Sequence, residues 1–200
     1  MYFSRDEFVK ANDQLNEIIR KNHKEDEVVV FDGIIDVDRY YNTSIRILWI
    51  LKEANSNESW TYQDMFTNSN ELNKNNGLAI FRRVVYTSYG ILKAVDKEWK
   101  EYPWSNDSSA QDVLREIAYV NIKKVPGGNV SDDNEMRTAY LKNRELLHSQ
   151  FELYNPQVVI FGNTLQYIQK EDFPGLEKAE KLQRFTKDLM AAIYGLSEPE

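Results

Sequence analysis

Compact apolar runs alternate with long polar stretches along this chain, and the spacing inside each run predicts an element. Ile45 to Leu51, "IRILWIL", is apolar on both faces of a period-two pattern, which predicts a central strand covered on each side by helices. Ile117 to Ile122, "IAYVNI", and Gln157 to Gly162, "QVVIFG", predict two further strands. Val28 to Phe31, "VVVF", is a β-branched run that stops at the turn signal Asp32-Gly33 and reads as a strand or hairpin arm ahead of the core.

Helical spacing fills the intervals. From Ser4 to about His23 an N-cap serine, Glu7 three residues on, and the stripe Phe8, Leu15, Ile18, Ile19 predict an amphipathic helix. A second helix is expected from Leu78 to about Lys100, on Phe81, Val84, Val85, Leu92, Val95 and Trp99. "SSAQDVLRE" predicts a third, and "SDDNEMRTAYLKNRELLHSQFELY" a fourth with Met136, Tyr140, Leu147, Phe151 and Tyr154 on one face. "LEKAEKLQRFTKDLMAAIYGL" reads as a closing helix. The polar residues after Leu51, including "NSNELNKNNG", read as a functional or mobile loop.

Three strands separated by helices imply parallel βα units, hence an α/β fold of three layers, α/β/α, around a central, mainly parallel sheet. One domain over 1–200 is expected. Residues 1–43 form its peripheral helix and hairpin, 44–166 its core and 167–200 a helical segment.

Composition narrows the chemistry. At 42% hydrophobic content, 200 residues bury a real core. The chain has no cysteine, which excludes disulfides, thiolate nucleophiles and cysteine-held clusters. No apolar run approaches the roughly 20 residues of a membrane span, and "MYFSRDEFVK" is not a signal peptide, so a cytoplasmic protein with no membrane partner is expected. A net charge of -7 repels polyanions overall, leaving Arg82-Arg83 and Lys123-Lys124 as local basic candidates. "DVDRYYN", Asp36 to Asn42, lacks the remaining ligands of a calcium loop and is read as surface.

In parallel sheets ligands gather beyond the carboxyl ends of the strands. The first strand delivers Lys52, Glu53, Ala54 and Asn55 there, the second Asn121 and then Pro126-Gly127-Gly128, the third Gly162, Asn163 and Thr164. A carboxylate at a strand tip requires water, a ligand or a partner charge. An amide side chain presents a donor and an acceptor side by side, the complement of a pyrimidine edge.

Three segments together resemble the uracil-DNA glycosylase superfamily over roughly residues 44–166. "ILWILKEAN" is similar to its first motif in the version that ends Gly-Glu-Ala-Pro-Gly, "AYVNIKKVPGG" to its second strand ending on asparagine, and "NPQVVIFGNT" to the strand that closes on Leu-Gly. The resemblance implies base excision by hydrolysis of an N-glycosidic bond in DNA, with no metal or other cofactor. It places Glu53 beside the attacking water and Asn121 on the base edge, with Ala54 and Asn55 in the base pocket. Trp60 is the expected stacking ring, with Tyr62 or Phe66 as alternatives. Lys52, Lys123, Lys124, Gly162, Asn163 and Thr164 are the expected phosphate or substrate contacts.

The departures are as specific. Lys52 replaces the family's glycine and Asn55 its proline, while the cysteine ligands of the iron–sulfur members are missing, so no such cluster is expected. The family's His-Pro turn, which stabilises the departing base, has no counterpart, since His23 and His148 are not followed by proline. Such a donor is commonly worth about 3 kcal/mol, or roughly a hundredfold in rate. Two other readings therefore stand beside the glycosylase: a non-catalytic module that binds a nucleobase, nucleotide or nucleic acid, and an enzyme acting on a free nucleoside or nucleotide. Asn163 and Thr164 are also natural caps for a following helix.

Overall fold

The computed structural model describes residues 3–23, 27–56, 58–67, 79–94, 96–128 and 130–172. Its centre is the doubly apolar run, which forms β3 (Ile47–Leu51) with all five residues buried. β5 (Ala118–Asn121) lies parallel on one side of it and β6 (Val158–Phe161) parallel on the other, in the registers Leu51 to Asn121 and Ile50 to Phe161. β2 (Gly33–Ile34) runs antiparallel to β5, so the four-stranded sheet has the order β2-β5-β3-β6. The class is α/β with a mainly parallel sheet, as the sequence pattern predicts.

Strand alternation sorts the core into two halves. Leu48, Ile50, Ala118 and Val120 pack with Phe8, Leu15 and Ile19 of α1 (Arg5–Lys21), and with Met136, Tyr140, Leu147 and Tyr154 of the long helix Asp133–Tyr154. Ile47, Trp49, Leu51 and Tyr119 pack on the opposite face with Phe81, Val84 and Val85 of the helix Ala79–Lys93 and with Val113 and Leu114. Helices thus cover both faces. Among the described residues no helix is long and apolar enough to cross a membrane.

Local signals placed several boundaries closely. Ser4 and Glu7 form the reciprocal capping box of α1, and Asp132 caps the long helix by accepting from Asn134 N and Glu135 N. Elsewhere the structure departs from expectation. Ile18 is 50% exposed, because the stripe of α1 is narrower than its apolar residues suggest. The second helix ends at Lys93, and Trp99–Glu101 is a separate 3-10 turn; Val95 lies outside the described residues. "SSAQDVLRE" divides into a four-residue helix, Ser108–Gln111, and a 3-10 turn, Asp112–Arg115. Asp36 caps α2 (Val37–Asn42), whose Tyr40 is fully buried, so "DVDRYYN" is not simply surface. The expected closing helix, 176–196, also lies outside the described residues.

Two corrections bear on the site. The segment after β3 was expected to be one long loop, but it contains β4 (Trp60–Thr61) and α3 (Tyr62–Thr67), whose Tyr62, Met65 and Phe66 are buried. Its aromatic residues are the reason, since they complete the core on the sheet face that carries Trp49 and Tyr119. Nor does Asp32-Gly33 close a hairpin: β1 (Val30–Phe31) pairs with β4, and β2 pairs with β5. The chain passes from one sheet to the other at Asp32, and Gly33 makes the passage at φ 126, a left-handed region open to glycine.

Candidate functional site

The β3 and β5 tips continue side by side after the strands end. Ile122 N donates to Leu51 O at 2.9 Å, Lys123 N to Lys52 O at 3.0 Å and Gly127 N to Ala54 O at 2.9 Å, and Asn55 bridges to Gly127. The β6 tip joins them through Gly162 N and the Thr164 hydroxyl, which both donate to Ile50 O, at 2.9 and 2.8 Å. All three predicted strand ends therefore share one edge of the sheet.

Glu53 is drawn inward there, its side chain only 4% exposed. The Lys123 ammonium lies 2.9 Å from Oε2 and also 2.9 Å from Glu135 Oε2. Oε2 is thus ion-paired, and no second donor reaches it among the described residues. Burial pulls the Lys123 pKa down, but the two carboxylates pull harder, and the ammonium ends above its ordinary value.

Gly127 forms the floor under this carboxylate. A Cβ at position 127 would fall 2.1 to 2.4 Å from the carboxyl atoms of Glu53, well inside contact distance. Gly127→Ala should therefore expel the Glu53 side chain or shift the loop, lowering unfolding free energy by about 1–3 kcal/mol, the usual range for overpacking. Urea titration would check this, and a loss under about 0.5 kcal/mol would show that the Glu53 side chain swings away freely rather than being held over Gly127.

Asn121 is fully buried at the adjacent tip. Its backbone N–H donates to Asp32 Oδ2 at 2.6 Å, and Nδ2 approaches the Tyr62 hydroxyl at 3.5 Å. Oδ1 accepts no hydrogen bond from the described residues, and the Tyr119 hydroxyl is likewise unpaired among them. Leaving such a group unpaired costs about 1–3 kcal/mol. Burial pushes the Tyr62 and Tyr119 phenols well above the ordinary value, so both remain O–H donors at neutral pH.

Behind Asn121 lies a buried ionic cluster. Lys124 Nζ donates to Asp32 Oδ1 and Oδ2, at 3.0 and 2.7 Å, and to Gln150 Oε1 at 2.8 Å. Gln150 Nε2 donates back to Asp32 Oδ1 at 2.9 Å. The side chains of Lys124 and Asp32 are both 0% exposed. Lys124, expected as a phosphate contact, thus turns inward, while Lys123 faces the two glutamates.

The remaining predicted residues are placed as follows. Ala54 is buried and Asn55 exposed. Lys52 Nζ sits 5.4 Å over the Tyr167 ring. Trp60 is half-buried, its ring 4.8 Å from that of Tyr62. Gly162 packs against Leu51, where a Cβ would approach Leu51 Cδ2 to 2.6 Å. Asn163 adopts φ 60, and Thr164 does not cap with its side chain, because its hydroxyl is directed to Ile50 O and only a three-residue 3-10 turn follows. His23 Nδ1 lies 3.0 Å from Glu27, and His148 Nε2 lies 3.7 Å from Glu152 on the long helix.

Asp32, Gln150 and Tyr119 escaped the sequence reading. Gln150 had a signal: it falls at i+3 from Leu147 and i−4 from Tyr154, on the buried stripe itself. Asp32 follows four apolar residues, but Asp-Gly is a turn signal and masks it. Comparison of the chain with protein-family models, with curated proteins and with solved structures gives no match.

Proposed function

We propose that the chain is a nucleobase-recognising domain of the uracil-DNA glycosylase type, and that it hydrolyses an N-glycosidic bond in DNA. One observation supports this above the others. Two buried acceptors stand on neighbouring strand tips: Asn121 Oδ1 without a hydrogen-bond donor among the described residues, and Glu53 Oε2 with the Lys123 ammonium 2.9 Å away. A ligand that brings donors to both completes the site. A base N–H donates to Asn121 Oδ1 while a base oxygen accepts from Nδ2. A water donates to Glu53 and attacks the sugar carbon; the C–O bond forms, the C–N bond breaks, and its electron pair leaves on the base nitrogen. The proton passes from water to the carboxylate. The three segments that resemble motifs of the superfamily support the same reading.

The Lys123 ammonium on Glu53 favours a second reading, a binding module without chemistry, because the cation already lies against the oxygen that a water would have to reach. Oligonucleotides bearing uracil, hypoxanthine or xanthine, single- and double-stranded, separate the two, with free deoxyuridine as a third arm and alkaline heating to reveal abasic sites. Cleavage should fall about a hundredfold or more in Glu53→Gln, and Asn121→Ala should weaken binding by about tenfold or more. Binding without cleavage selects the module, and base release from deoxyuridine alone selects an enzyme of free nucleosides. Neither binding nor cleavage in any arm rejects the nucleobase reading.

A further inference from the structure

Tyr62 opens α3 directly after β4, and its ring lies flat on that of Tyr119, with centroids 5.3 Å apart and planes 5° from parallel. Its hydroxyl points to Asn121 Nδ2 at 3.5 Å. A six-membered ring is thus stacked on an aromatic face, with an oxygen turned to a carboxamide edge. A base read by Asn121 would take the same arrangement. The match is incomplete. Tyr62 meets only the donor half of the carboxamide, at the outer limit of hydrogen-bond distance, and Oδ1 stays without a donor among the described residues. A heterocycle with an N–H beside a carbonyl meets both halves.

We propose that Tyr62 is an internal stand-in for the ligand ring: in the free chain it fills the slot beside Asn121, and a planar heterocycle with adjacent donor and acceptor binds by displacing it. This rests on the nucleobase reading above, but it reverses the role of Tyr62, from a platform that supports the base to a competitor for its place. The segment that carries it is held by side-chain packing, with the Tyr62 ring against Trp60, Phe66, Phe81 and Tyr119, more than by backbone pairing. β4 joins β1 through two residue pairs, Val30 with Trp60 and Phe31 with Thr61, and has no pairing with the four-stranded sheet. Withdrawal of Tyr62 breaks these ring contacts but leaves the pairing of β3 with β5 intact. Ligand affinity is reduced by the fraction of time the slot is open.

The test is a titration of the full chain with uracil and with 1,3-dimethyluracil, which keeps the ring and lacks the N–H. Tyr62→Ala should bind uracil at least about tenfold tighter than the parent, as expected when an occluding contact is removed, with no gain for dimethyluracil. In stopped flow, the binding rate of the parent should level off with uracil concentration at the rate of slot opening, and that of the variant should rise linearly. If the parent binds uracil and the folded variant binds it equally or more weakly, Tyr62 is a platform and the proposal fails while the nucleobase reading survives. If neither binds uracil nor cleaves or binds any base-bearing oligonucleotide, both fail. Should Tyr62→Ala not fold, as circular dichroism would report, the parent decides alone: a linear dependence overturns displacement and a saturating one supports it.

Discussion

Lys124→Ala is expected to lower the unfolding free energy by about 3–5 kcal/mol, the cost of leaving one member of a buried ion pair without its partner. Few domains tolerate that easily, since total stabilities run from about 5 to 15 kcal/mol. The size follows from burial. Both side chains are fully enclosed, and Asp32 receives the Asn121 N–H and Gln150 Nε2 as well as two contacts from the ammonium. Without Lys124, two neutral donors would face a buried anion, which would protonate or draw water inward. Lys124→Met combined with Asp32→Asn should be more stable than Lys124→Met alone by about 2 kcal/mol, a coupling typical of contacting residues, because the asparagine oxygen can still accept from Asn121 N while its amide donates to the Gln150 oxygen that Lys124 leaves. Urea unfolding followed by circular dichroism measures both. A Lys124→Ala loss below about 1 kcal/mol, the value of an exposed pair, would place Lys124 in solvent and remove the brace behind Asn121.

The second large effect is alkaline. Burial raises the phenols of Tyr40, Tyr62, Tyr119 and Tyr154 above the ordinary value of 10.0, with the Asp32 charge adding to the rise at Tyr154. In the unfolded chain these groups lose protons near pH 10. The folded chain then binds more protons than the unfolded one, so the stabilisation is fully present below about pH 10. It is lost as pH rises from there toward the folded values. Each phenol contributes a slope of about 1.4 kcal/mol per pH unit once past its unfolded pKa, or roughly 5 kcal/mol per unit for four. Lys124 runs the other way: burial lowers its pKa despite the opposing charge of Asp32, so its contribution rises with pH up to the ordinary 10.5 and ends there. Absorbance at 295 nm should show these four phenols silent until a cooperative transition above pH 10. Titration of all 12 tyrosines near pH 10 with the fold intact, and equal stability at pH 9 and pH 11, would contradict their enclosure.

Elements written in local chemistry were readable. β3 was legible because an apolar run without alternation has one stable place, a strand buried on both faces. The start of α1 was legible because Ser4 and Glu7 satisfy each other's backbone donors within a single turn. The gathering of Glu53 and Asn121 at one edge followed from parallel βα order, since parallel neighbours end on the same side. Tyr62 was less readable. Its immediate neighbours in sequence are polar, and contacts with Phe66 a turn ahead and with Phe81 and Tyr119 from elsewhere in the chain make it part of the core.

By itself, then, the sequence determined where β3, β5, β6, α1 and the long helix arise, which residues stand at the strand tips, and that no thiol chemistry is available. Tertiary structure alone decided which of two adjacent lysines is a buried counterion: Lys124 meets Asp32 across 92 positions, whereas Lys123 meets Glu53 and Glu135. The reason is range. Periodicity and capping are satisfied by neighbours within a turn or two, but whether a charge survives burial depends on a partner that the chain brings close only when the sheet and the long helix have packed.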